Sequence, residues 1–509
     1  PSTRLSQKLT NDDKPWVHAK HGLDRASWWL TFAGLVLGFI GAAVLCFTGY
    51  EDVDVLKDSQ LCLVLDDEFD TLDLQNTWTR DVELGGFGNG EFEMTTDLSA
   101  NSYIQNGQLY ILPTLTSASI SGGYSSVLDG GSYTLDGCTA GAGTPATNQD
   151  LRTRQQDAGG GDNGGTTTNT TTTGTGTNST TTPSGSSNST TTTGGTNSTT
   201  SSNSTSSSGG GTGGGGGNPC TAVSSAAAGT VINPVMSARL NTKGKKSIGY
   251  GRVEVRAKLP SGDWLWPAIW MLPEGNSSSS AASNGSGTGV AGAGVYGTWP
   301  VSGEIDIMEA RGNGPTYPAQ GSNYVRSSLN YGPFAAGTAS VTTSAATLVK
   351  NIYGWVSTKR GNYADDFHVY AMEWTGEWMR FYTDSRLQAM INLKMTSSAP
   401  DSYFFKAGGF PATAMNVSSG EEVVVQDPWA GGSNAAPFDQ QFYMVIDLAV
   451  GGTSGWFPDG LGGKMWYDGS PTAMQAFAKA QDTWSATWPQ SADDLAFRID
   501  YVKMWQLCG

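Results

Sequence analysis

The chain has 509 residues with 45 Asp and Glu against 29 Lys and Arg, a formal net charge of −16. That balance disfavours nucleic acid, whose binding depends on clustered Lys and Arg that neutralise phosphates, and is compatible with a neutral polymer. Histidine occurs only as His18, His21 and His368, too few beyond the N-terminal region for a multi-histidine zinc site, and no G-x-S-x-G elbow supports a Ser-His-Asp triad through His368.

Residues 28–50 carry no charge, and about 20 apolar residues suffice for a helix to cross a bilayer. Trp28, Trp29 and Tyr50 sit at the ends of this run like interfacial aromatics. Lys8, Lys14, Lys20 and Arg25 precede it, and Glu51, Asp52 and Asp54 follow it. The positive-inside rule then predicts a cytosolic tail over 1–27, a signal-anchor transmembrane helix over 28–50, and residues 51–509 outside the cell or in the secretory lumen, a single-pass type II arrangement. A cleaved signal peptide fits less well, because its apolar region usually spans about 7 to 15 residues and ends at a small-x-small site.

Beyond the helix, short strand patterns recur at 61–69, 108–113, 252–259, 303–309, 367–374, 379–383, 442–450 and 497–505, with Gly, Pro, Asn and Asp between them. Long amphipathic helices are absent, so an all-β sandwich or barrel is expected. Residues 150–218 are almost entirely Gly, Ser, Thr and Asn and cannot bury enough apolar surface to fold. They read as a disordered insert in one domain, and their repeated N-x-S/T sites fit a glycoprotein. A second insert covers 276–295. Cys46 falls in the apolar run, leaving Cys62, Cys138, Cys220 and Cys508, which allow three pairings. Cys62 and Cys508 lie on the candidate first and last strands, while Cys138 and Cys220 bracket the insert, so these two pairs are expected in an oxidising compartment.

The most informative stretch is Trp299-Pro300-Val301-Ser302-Gly303-Glu304-Ile305-Asp306-Ile307-Met308-Glu309-Ala310-Arg311-Gly312-Asn313. Glu304 and Asp306 alternate with isoleucines and share one strand face. Glu309 follows Glu304 by five residues, an odd spacing, so it joins that face only if an extra residue near Ile307 or Met308 forms a β-bulge. With the bulge, the two glutamates have Cα atoms roughly 13 Å apart, and inward-leaning side chains bring their carboxyls to about 5 Å, the separation of a retaining glycosidase. Asp306 between them would raise the pKa of a neighbour that must stay protonated.

This segment resembles the active-site strand of glycoside hydrolase family 16, in its laminarinase-like endo-1,3(4)-β-glucanase branch with the bulged E-x-D-x-x-E form. Tyr250-Gly251-Arg252-Val253-Glu254-Val255-Arg256-Ala257-Lys258-Leu259-Pro260 and Trp264-Leu265-Trp266-Pro267-Ala268-Ile269-Trp270-Met271-Leu272-Pro273 are similar to the same branch and to the related invertebrate β-glucan recognition proteins. Leu63 to Phe69, Phe367 to Trp374, and Ala449-Val450-Gly451-Gly452-Thr453 with Trp456-Phe457-Pro458-Asp459-Gly460 complete the resemblance, in the family order.

The resemblance implies a concanavalin A-like jelly-roll β-sandwich with a cleft across one sheet, Glu304 as nucleophile, Asp306 as its electrostatic partner and Glu309 as general acid/base. Trp270, Trp299 and Trp456 are expected to hold sugar rings on their faces, with Arg311 and Asn313 as hydroxyl ligands and His368 in or behind the cleft. Trp264 and Trp266 share a strand face by spacing and are not told apart. Asn330 stands where many relatives place a histidine, a change expected to affect contacts at the rim. No cofactor or catalytic metal is implied; a structural calcium ion is compatible. The expected partner is β-1,3- or mixed-linkage glucan, and the resemblance to fungal members suggests cell-wall glucan remodelling. Transglycosylation remains open, as does a non-catalytic recognition module, although the three acids argue against the latter.

Overall fold

A computed structural model describes residues 7–15, 22–51, 53–140, 219–275, 294–335, 339–340, 348–416 and 419–508. The chain divides into two compact units, 1–59 and 60–509. In the first, helix α1 (Gly22–Glu51) contains the stretch Arg25–Gly49, long and apolar enough to cross a membrane. The insert expected at 150–218, and residues 276–293 of the one expected at 276–295, lie outside the described residues.

The second unit is a sandwich of two eight-stranded sheets. In chain order their strands are β1 (Leu61–Asp67), β2 (Thr79–Asp81), β3 (Ser102–Gln105), β4 (Gln108–Ile111), β5 (Arg239–Asn241), β6 (Ser247–Ile248), β7 (Gly251–Lys258), β8 (Leu265–Pro273), β9 (Glu304–Ala310), β10 (Tyr324–Tyr331), β11 (Lys350–Ser357), β12 (His368–Trp374), β13 (Trp378–Thr383), β14 (Ala389–Lys394), β15 (Phe442–Val450) and β16 (Phe497–Leu507). The site sheet runs β11-β10-β9-β8-β15-β5-β2, with β6 also on β15, and the opposite sheet runs β14-β13-β12-β7-β16-β4-β3, with β1 on β16. This is the expected jelly-roll sandwich.

Side-chain alternation explains the two layers. On β7, Val253, Val255 and Ala257 are buried while Arg252, Glu254 and Arg256 stay partly exposed, as a sheet with one packed face requires. On β9, Ile305, Ile307, Met308 and Ala310 enter the core, and each large side chain contributes about 2 kcal/mol by burial. Every residue of β15 is buried, because its second face lies under the site.

Both expected disulfides are present, Cys62–Cys508 and Cys138–Cys220. The first joins β1 to the residue just past the end of its pairing strand, β16. The strand patterns do not include β10, which pairs directly with the acid-bearing β9, or β11 on its far side.

Candidate active site

Glu304 begins β9 after a glycine that the turn requires. Gly303 has φ +78, and a Cβ there would come within 2.7 Å of the Phe438 ring. Along β9 the register against β10 pairs Glu304 with Asn330, Asp306 with Ser328, and Glu309 with Arg326. Three residues on β9 therefore span two on β10, and the register against β8 slips at the same place. This is the expected bulge at Ile307 and Met308, and it puts both isoleucine and methionine in the core and all three acids on the other face.

The acids form one hydrogen-bonded row with side chains from β10. The Asn330 amide nitrogen donates to Glu304 Oε1 at 3.0 Å and to Asp306 Oδ2 at 2.8 Å. Ser328 Oγ donates to Asp306 Oδ2 at 2.5 Å and lies 3.3 Å from Glu309 Oε2. Trp266 Nε1 donates to Glu309 Oε1 at 3.3 Å, and Arg326 Nε lies 3.7 Å from Glu309 Oε2.

Burial pushes the Asp306 carboxyl well above the usual carboxylate range. Glu304 and then Glu309 add to the shift, while the Ser328 hydrogen bond and Arg326 oppose it. Asp306, expected as the electrostatic partner of Glu304, stands between the two glutamates, and its own proton is held more tightly by burial and by their charges.

A cleft opens over this row, lined by Trp266, Trp299, Glu304, Asp306, Glu309, Arg326, Asn330, Asn351, Ser454 and Trp456, among others. Trp266 stacks on Trp456 with centroids 4.9 Å apart, and Trp355 stacks on the same indole at 5.9 Å. Trp264 does not share this face. Its φ of +70 breaks the alternation just before β8, and its ring packs in the core on Phe457 and Trp466.

Of the expected sugar-binding residues, Trp299 and Trp456 reach the cleft. Trp270 lies on the acid-bearing side of β8, opposite Asp306, but its indole donates to Asp447 at 2.6 Å and packs beside Arg239. Arg311 is not a hydroxyl ligand. It is buried, donates to the carbonyls of Trp456, Ala319 and Gln320, and lies 4.3 Å from the Trp456 ring, so it props the loop that carries that indole. Asn313 is likewise buried, accepting from the Trp264 amide and donating to Asp263. Both side chains are committed to buried or partly buried loop groups.

His368 stands on β12 of the opposite sheet, with Nδ1 2.8 Å from Asp384 and its ring against Tyr363. It is remote from the acids by sheet. Asn330 was expected at the rim and sits instead among the carboxylates. Ser328, Asn330 and Arg326 were legible in principle, since polar residues alternate with the buried Val325, Leu329 and Tyr331 on β10. Among the described residues no group of three or more His, Cys, Asp and Glu is arranged to hold a metal ion.

Comparison with known proteins places this site in a family. The model for "Glycosyl hydrolases family 16" matches residues 220–440. A beta-1,3-glucan-binding protein of Penaeus monodon is 31% identical over 478 residues, 92% of this chain and 98% of that protein. Glucan endo-1,3-beta-glucosidase A1 of Niallia circulans is 33% identical over 221 residues, 42% of this chain and 22% of that one. The laminarinase structure from Rhodothermus marinus aligns at a TM-score of 0.42 and 20% identity, over 88% of this chain and 98% of its own. The chain belongs to glycosyl hydrolase family 16.

Proposed function

We propose that the protein is a retaining endo-β-glucanase that cleaves internal β-1,3 or mixed β-1,3/1,4 linkages. The observation that carries this reading is the bulged strand, which brings Glu304, Asp306 and Glu309 to one cleft face within a single hydrogen-bonded row. A Glu304 oxygen bonds to the anomeric carbon as the glycosidic C–O bond breaks, and the Glu309 proton goes to the leaving oxygen. Water then attacks the same carbon and gives a proton back to Glu309, while Glu304 leaves as a carboxylate. Two displacements retain the β configuration. Because burial holds the Asp306 proton more tightly, Asp306 opposes the charge of the Glu304 carboxylate less than a free aspartate would.

The aromatic walls support a sugar-chain ligand, since pyranose C–H faces pack on indole rings. The names of the Niallia and Penaeus relatives support β-1,3-glucan as the chain in question. The Penaeus protein, similar over 92% of this chain and named for binding, favours a second reading as a glucan-recognition module. Product analysis on laminarin and lichenan separates the two.

We also propose anchoring through α1, with the sandwich outside the cytosol, in a fungal cell-wall glucan-remodelling role. The apolar stretch Arg25–Gly49 and the two disulfides support an extracytosolic, membrane-attached domain.

A further inference from the structure

Asn330 bridges Glu304 and Asp306 in the acid row, as Ser328 bridges Asp306 and Glu309. It lies in register with Glu304 on the neighbouring strand, and its amide nitrogen reaches both Glu304 Oε1 and Asp306 Oδ2. An amide nitrogen carries two hydrogens, so each carboxylate receives one. The reverse orientation would set the amide oxygen against two acidic oxygens, which fixes the side chain as a donor. A carboxyl group that accepts two such bonds cannot rotate freely. Asp306 Oδ2 also accepts from Ser328, so a proton on Asp306 belongs on Oδ1, away from β10.

We infer that Asn330 is a positioning residue of the reaction: it aims Glu304 at the anomeric carbon and holds Glu304 and Asp306 in register with a donor whose protonation never changes. This rests on the reading of Glu304 as nucleophile. The charged and titratable groups around the bridge include Glu304, Asp306 and Glu309 from β9, Arg326 from β10 and Tyr443 from β15, whose hydroxyl feels the Glu304 charge; β8 contributes Trp270 opposite Asp306, and β11 the neutral Asn351 opposite Asn330. None of these charged and titratable groups can replace a neutral two-hydrogen donor. An aspartate of the same shape would add a fourth carboxyl and remove both hydrogens. A histidine would restore a donor but introduce a group whose unperturbed pKa is about 6.5.

The test uses the full chain with Asn330→Ala, Asn330→Asp and Asn330→His. On laminarin, kcat should fall about 100-fold in the alanine and aspartate variants, as for loss of one preorganised donor, with KM within about twofold. The histidine variant should recover at least about tenfold of that loss and add an ionisation above the free-imidazole value of ~6.5 to the kcat profile, because the carboxylates beside it favour the charged ring; a packing role would not produce this. The Asp306 carboxyl-carbon NMR signal should titrate at higher pH in Asn330→Ala, because its anion has lost a donor. That last readout needs no turnover. A wild-type chain that cleaves no β-glucan would remove the hydrolase reading alone, while the upward shift would still support the bridge. An unmoved Asp306 titration would overturn the inference, as would raised KM with unchanged kcat, which would make Asn330 a sugar ligand.

Discussion

Trp266 donates its indole N–H to Glu309 at 3.3 Å, and the same ring stacks on Trp456 with planes 12° from parallel. The proposed acid/base is thereby tied to the aromatic wall that would hold the sugar. Trp266→Phe keeps a stacking ring and removes the donor. We expect kcat/KM on laminarin to fall roughly fivefold, the effect of one hydrogen bond worth about 1 kcal/mol, and glucan retention in affinity electrophoresis to change little. Equal losses in binding and turnover would reassign Trp266 to sugar contact alone.

Stability should depend on pH in the direction set by buried acids. Burial pushes the Asp447 carboxyl up to about 7, against the pull of Arg239, from the ~3.9 of an unfolded aspartate. The folded chain therefore holds this proton more tightly. Its stabilisation is complete below about pH 4 and is lost as pH rises through about 7. Asp306 and Glu93, also raised by burial, act in the same direction. The thermal midpoint should fall from about pH 5 to about pH 8, a window in which ordinary carboxylates are already ionised, and Asp447→Asn should flatten the fall by on the order of a few kcal/mol. A midpoint that rises across this window would contradict the assignment.

The bulge makes a parity prediction. Removing Met308 shortens the spacing from Glu304 to Glu309 to an even number, so a regular strand would still aim both glutamates at the cleft. Inserting an alanine after Met308 lengthens the spacing to six, also even, but in a regular strand it sets Glu309 two residues, about 7 Å, further from Glu304 than the deletion does. Deletion should cost about 3 kcal/mol in stability through lost core packing but retain measurable cleavage, whereas insertion should lower kcat by about 1,000-fold or more by misplacing Glu309. Comparable activity in the two variants would mean that the separation of Glu304 and Glu309, which the bulge holds at four effective steps, does not set the activity.

Period-two spacing was enough to read the three acids and the need for a bulge, because Glu304, Asp306 and the buried isoleucines are neighbours on one strand. The eight strand patterns were legible for the same reason. What spacing could not carry was the behaviour of residues past the strand end. Arg311 and Asn313 follow β9 into a loop, where orphan carbonyls and amides claimed their polar atoms. His368 could not be assigned to a sheet from its own strand alone. Trp264 escaped because a single positive φ resets alternation. Asn330 was misplaced because its partners come from another strand, twenty-six residues from Glu304 and twenty-four from Asp306.

Membrane topology is open to direct measurement. With α1 as a signal anchor, sealed microsomes should protect the sandwich from added protease while a short N-terminal fragment is trimmed. Digestion of the sandwich without detergent would reverse the proposed orientation.

The central claim is that Glu304 and Glu309 perform a double displacement, and proton NMR of the first product from laminarin tests it most directly. Wild-type protein should release a reducing end that appears first as the β anomer and later mutarotates, and Glu304→Gln should release none while still binding the glucan. Initial release of the α anomer would contradict the retaining mechanism, and a wild-type chain that binds laminarin and lichenan without cleaving either would contradict the enzyme reading itself.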